Sequence, residues 1–92
     1  MKCCCFAVEN GYGMRFKDYT EILSNVLEDA QGFFGVYPHA RGTLMVFYNY
    51  DDAITTKNLF EYYKLKTGRY IMECEFEDDT LTVLGIYNRE RS

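Results

Sequence analysis

Arg69-Tyr70-Ile71-Met72-Glu73-Cys74-Glu75-Phe76-Glu77-Asp78-Asp79-Thr80-Leu81-Thr82-Val83-Leu84 decides the fold, because acidic and apolar residues alternate through its first half. Side chains of a strand point to opposite faces in turn. Met72, Cys74 and Phe76 therefore share one face, and Glu73, Glu75 and Glu77 share the other. Asp78 and Asp79 provide a turn, since aspartate tolerates tight backbone, and Thr80, Leu81, Thr82 and Val83 resume a β-prone series. The segment reads as a β-hairpin over residues 69–87 that gathers five acids in one small area.

Working upstream, residues 2–8 form a continuous β-compatible run suited to a central strand, broken by Glu9-Asn10-Gly11-Tyr12-Gly13. A helix is expected next. Asp18 reads as its N-cap with Glu21 completing a capping box, Tyr19, Ile22, Leu23, Val26, Leu27 and Ala30 fall at helical spacing, and Gly32 is the stop. Residues 33–37 and 43–50 read as strands joined by the hairpin connection Pro38-His39-Ala40-Arg41-Gly42. After Asp51-Asp52 a second helix is expected to begin near Thr55 or Thr56 and end before Gly68. Leu59, Phe60, Tyr63 and Leu65 are expected inward, and Lys57, Lys64 and Lys66 outward.

The resulting order is β-α-β-β-α-β-β within one domain, 1–92, and both helical connections are long enough to link parallel neighbours. Two helices on one face of a mostly antiparallel sheet give the fold class α+β. This pattern resembles a ferredoxin-like β-α-β-β-α-β sandwich with an extra C-terminal edge strand supplied by the hairpin 69–87. The strand 43–50 is bulky on both faces. Leu44, Val46, Tyr48 and Tyr50 lie on one face and Met45 and Phe47 on the other, and the face without helices would be either a surface that a homodimer or other partner buries or a filled core with tyrosine hydroxyls in water.

The chain has nine Tyr, seven Phe and a net charge of −4, so its mean field favours basic partners and disfavours phosphate backbones. No direct nucleic-acid contact is expected. The Arg41-Gly42-Thr43-Leu44-Met45-Val46-Phe47-Tyr48 segment matches the third-strand signature of the RNA-recognition motif at Arg41, Gly42, Val46 and Tyr48. Thr43 and Met45, however, stand where that motif places its stacking aromatics, so the match is read as coincidence. The basic flank of Lys57, Lys64, Lys66 and Arg69 reads as a solvated helix face.

Cysteines at positions 3, 4, 5 and 74 lack the spacing of a disulfide framework or a zinc knuckle, and His39 is the sole histidine. No metal and no cofactor is expected. Cys3 and Cys5 share a strand face and Cys74 would lie on the neighbouring strand, where small buried hydrophobes are the expected role. No apolar run suits a signal peptide or a bilayer crossing, so a cytoplasmic protein without membrane contact is expected. Gly11-Tyr12-Gly13 lacks the third glycine of a dinucleotide fingerprint, and no nucleophile motif accompanies His39.

The expected function is therefore non-enzymatic: docking on a basic protein surface through Glu73, Glu75, Glu77, Asp78 and Asp79, with Tyr48 and Tyr50 as anchors. Asp18, Glu21, Glu28 and Asp29 add acids on the first helix without a compensating base. Small acidic domains of this kind resemble inhibitors of nucleases and other nucleic-acid-binding proteins, including phage-type defence inhibitors and immunity proteins. The alternative is a homodimeric ligand-binding or small enzymatic domain with a pocket near His39, Arg41 or Arg69.

Overall fold

The computed structural model describes residues 1–9, 14–40 and 42–88. Its elements are β1 (Lys2–Glu9), α1 (Phe16–Glu28), β2 (Phe33–His39), β3 (Gly42–Phe47), α2 (Tyr50–Tyr62), β4 (Met72–Glu77) and β5 (Thr80–Ile86). The five strands form one antiparallel sheet in the order β2-β3-β1-β4-β5, an α+β architecture that fits the ferredoxin-like type in broad terms. The helical crossovers do not link neighbours. The connection through α1 passes over β3 and that through α2 passes over β1, so every adjacent pair is antiparallel.

One face of the sheet holds the helices. Phe6, Val8, Met45 and Phe47 project there against Tyr19, Val26, Ala53 and Phe60, with Ile22, Leu23, Leu27 and Ala30 packed around them as the helical spacing anticipated. The Phe6 ring stacks on Phe47 at 5.7 Å and meets the edge of Phe60 at 5.9 Å. Gly42 is dictated by the close approach of β3 to β1, because a Cβ there would lie 2.1 Å from the Val8 carbonyl oxygen.

Several element boundaries differ from the sequence reading for identifiable reasons. α1 begins at Phe16 with Arg15 as N-cap, and Asp18 sits in the first turn, where it accepts a hydrogen bond from Arg15 Nε at 3.0 Å. That ion pair also supplies the base thought absent from the acidic helix. The helix ends at Glu28 ahead of Gly32, whose φ of +65° serves the following turn instead. β2 runs through Pro38 and His39, which were expected in the connection, while Arg41 and the glycines at 11 and 13 fall outside the described residues.

α2 begins five residues before Thr55, at Tyr50, because Asn49 caps it. Its side-chain oxygen accepts from the Asp52 backbone N–H at 2.9 Å, and its side-chain nitrogen donates to Asp52 Oδ2 at 2.9 Å. β3 consequently stops at Phe47. The buried stripe of α2 is Ala53, Thr56, Lys57 and Phe60, so Lys57 faces inward while Leu59 and Tyr63 are exposed. Lys57 is only 7% exposed and pairs with Glu61, which also accepts from Thr67 Oγ1 at 2.7 Å. Leu65 is buried as expected, but beyond the helix end.

The face without helices is not an open apolar surface. Leu44 and Val46 are 4% and 0% exposed, in a second core with Cys3, Cys5 and Cys74. The cover comes from the chain itself. A bulge between Phe33 and Gly35 leaves Phe34 unpaired and aims it across the sheet, where its ring meets Phe76 at 4.9 Å, and Tyr37 lies 6.2 Å from Phe76. Phe34 and Phe76 belong to strands three places apart in the sheet, a separation of roughly 14 Å if it were flat, so the sheet curls to bring the rings together. Leu44 and Val46 thus need no partner to keep them dry.

Candidate functional site: an acidic hairpin and its tyrosine cleft

β4 and β5 pair as a two-residue hairpin with Asp78 and Asp79 at φ of 51° and 61°, the backbone of a type I′ turn. Met72, Cys74 and Phe76 point into the second core, as the alternation requires. Glu73 stands directly opposite Cys4, a residue of the helix-side core, which sets Glu73, Glu75 and Glu77 on the helix side of the sheet. α2 lies over β1 and β3, and α1 packs against α2. The glutamates therefore occupy the lateral part of that face. Glu75, Glu77 and Asp78 line a shallow depression of about 340 Å³ together with Thr80, Thr82 and Leu84.

A larger cleft of about 440 Å³ opens where β1 begins and β3 ends. Tyr48, Tyr50, Tyr87, Asn49, Lys2 and Glu73 contribute to its walls. Tyr50 stacks on Tyr87 at 4.8 Å between ring centres, and Tyr87 is fixed by its backbone N–H donating to the Ile71 carbonyl at 2.9 Å. Tyr48 is 52% exposed and stands edge-on to Phe34 at 5.4 Å, so its ring is held while much of its surface stays in water. Lys2 Nζ lies 3.4 Å from Glu73 Oε1 across the strand pair.

The sequence-predicted residues are thus brought together as one strip. Tyr48, Tyr50 and Glu73 share the cleft, Glu75, Glu77 and Asp78 share the depression, Asp79 completes the turn, and β4 runs through both concavities. Lys2, Tyr87, Thr80 and Thr82 were missed. Counting outward from the Asp78-Asp79 turn would have found the threonines, since that register sets Thr80 opposite Glu77 and Thr82 opposite Glu75.

Other candidate positions carry less. The hollow beside His39, about 190 Å³, is walled mainly by Ala7, Val8, Gly42 and Gly68, and its Glu9 carboxylate is 3.6 Å from Lys66 Nζ. Arg69 lies over the Tyr70 ring at 5.4 Å. Met45 points to the helices, so β3 runs in the opposite phase to the one the RNA-recognition signature needs. Among the described residues no group of three or more His, Cys, Asp or Glu is arranged to hold a metal ion, and no helix is long and apolar enough to cross a membrane.

All four cysteines are free and buried. Cys3 Sγ and Cys74 Sγ lie 3.0 Å apart. Burial, reinforced by the hydrogen bond to Cys74, pushes the Cys3 thiol up to about 12, and burial pushes Cys4 up to about 11. The Cys74 thiol is also raised, first by its hydrogen bond with Cys5 and then by burial, and the same bond lowers Cys5. Cys3, Cys4 and Cys74 are accordingly protonated and weakly nucleophilic at neutral pH.

Comparison of the chain with family models, with curated proteins and with solved structures returns no match.

Proposed function

We propose that this chain is a non-enzymatic docking protein whose acidic hairpin engages a basic protein surface, with the exposed ring of Tyr48 as an anchor at one end. The observation that carries the reading is the acidic strip: five carboxylates along β4 and its turn, with Lys2 paired to one of them among the described residues. Alternate residues of a strand repeat at about 7 Å, close to the spacing of phosphates along a nucleic-acid strand. The partner is therefore a protein that handles nucleic acid, and binding inhibits it by occupying its phosphate-binding surface. In this reading the fold is a ferredoxin-like sandwich whose added hairpin strand β5 widens the acidic face. Free, buried thiols support a reducing, cytoplasmic setting.

The test compares capture from host lysate by wild type and by a Glu73→Lys, Glu75→Lys, Glu77→Lys variant, at low and high salt and with added duplex DNA. A basic protein retained by wild type only, weakened by salt and displaced by DNA, is expected. Retention by the triple variant, or indifference to DNA, overturns the proposal.

A further inference from the structure

We propose that Cys3 and Cys74 form an oxidation site: hydrogen peroxide arriving through the tyrosine cleft joins the two thiols in a disulfide that staples β1 to β4. Three observations meet at this pair. The residues are direct partners in the β1–β4 register, their sulfurs are 3.0 Å apart, and Cys3 forms part of the cleft wall although it is only 2% exposed. Met1 and Phe76 exchange both backbone hydrogen bonds, at 2.8 and 3.0 Å, so the pair two residues along, Cys3 and Cys74, has the same hydrogen-bonded character. Such pairs hold their Cα atoms about 5.5 Å apart, which is where bridged cysteines cluster.

The neighbouring cysteines are less well placed to bridge, although Cys5 also hydrogen-bonds Cys74. Cys4 faces the helices, and Cys5 stands opposite Met72, so its Cα is diagonal to that of Cys74 at about 7–8 Å, beyond comfortable bridging distance. Oxidation proceeds in two balanced steps. The Cys3 thiolate attacks a peroxide oxygen, the O–O bond breaks, and the released hydroxide takes up a proton to give water and a sulfenic acid on Cys3. The Cys74 sulfur then attacks the Cys3 sulfur, the S–O bond breaks, and a second water leaves with the Cys74 proton. Two thiols have lost two electrons to one peroxide.

Burial and the hydrogen bond to Cys74 keep Cys3 protonated, the Met1 ammonium opposing and the Glu75 carboxylate reinforcing them, so the site is slow at neutral pH and its rate rises about tenfold per pH unit between 7 and 9. The staple closes a loop between residues 71 apart in sequence, so a rise in Tm on the order of 10 °C is expected. The experiment treats the full chain with hydrogen peroxide at pH 7 and pH 9, alkylates remaining thiols and reads the mass. The expected result is loss of two hydrogens, retained in a Cys4→Ala, Cys5→Ala variant and absent in Cys3→Ala, with a raised Tm that dithiothreitol reverses. Oxygen addition without hydrogen loss, hydrogen loss that survives Cys3→Ala, or no reaction at pH 9 overturns the proposal. None of these readouts depends on the docking partner.

Discussion

Truncating Phe76 to alanine should open the face without helices, and the cost can be worked from its contacts. The ring is half-buried over Leu44 and Val46, and about half of the 1.5–3 kcal/mol that a fully buried phenylalanine contributes is roughly 0.75 to 1.5 kcal/mol. Its packing against Phe34 at 4.9 Å and Tyr37 at 6.2 Å adds about 1 kcal/mol. Exposure of the aliphatic floor brings the total to about 3 kcal/mol, equivalent to a fall in Tm of about 15 °C for a domain of this size. Urea and thermal unfolding measure the loss, and binding of a hydrophobic dye reports the uncovered floor. Phe76→Leu should recover most of the stability, and a double-mutant cycle with Phe34→Ala should give a coupling of about 1 kcal/mol. A cost below about 1 kcal/mol with additive double-mutant energies would refute the self-covering sheet.

Three further outcomes follow from named contacts. Glu61 is held below the ordinary glutamate value by its hydrogen bond from Lys57 and then by Thr67, so its contribution is complete above about pH 4.3 and is lost as pH falls through the lower folded value. Glu61→Gln should therefore cost about 1 kcal/mol at pH 7, discounted because the carboxylate is partly exposed, and the gap to wild type should close in urea melts taken toward pH 3. Gly42→Ala forces β3 off the Val8 carbonyl and should destabilise by 3 kcal/mol or more, an estimate of about the size seen for severe overpacking, visible as lost cooperativity in thermal melts. Replacing Asp78 and Asp79 by Asn-Gly suits the left-handed turn better and should raise stability by about 0.5–1 kcal/mol in the same melts.

The hairpin was readable because both of its signals are local: alternation through Met72–Glu77 and two turn-tolerant aspartates. The order of elements and the central place of β1 were legible for a similar reason, as was the meeting of Cys3 with Cys74. The start of α2 was misread because the apolar run through Tyr50 looks like continued strand, whereas Asn49, a good N-cap, ends it. Lys57 breaks the pattern in another way, since a polar residue at an inward position is invisible until its partner Glu61 and its surroundings are known. The curled sheet lay furthest from local reading, because a bulge at Phe34 has meaning only once Phe76, from the other end of the chain, lies across from it. The acidic strip was legible as residue types along β4, but its meeting with Tyr48, Tyr50 and Lys2 required the β1–β4 register.

The middle position of β1 also governs how the chain reaches this state. Its two neighbours are residues 42–47 on one side and 72–77 on the other, so the strand made before the rest must wait for both. During that wait Cys3-Cys4-Cys5-Phe6 is an apolar ribbon with no place to go. Closing such long loops is slow compared with forming local hairpins. A growing chain can assemble β2, β3 and β1 once residue 47 is made, but β1 keeps one open edge until β4 emerges, and a product cut short before residue 72 would lack the strand that covers it.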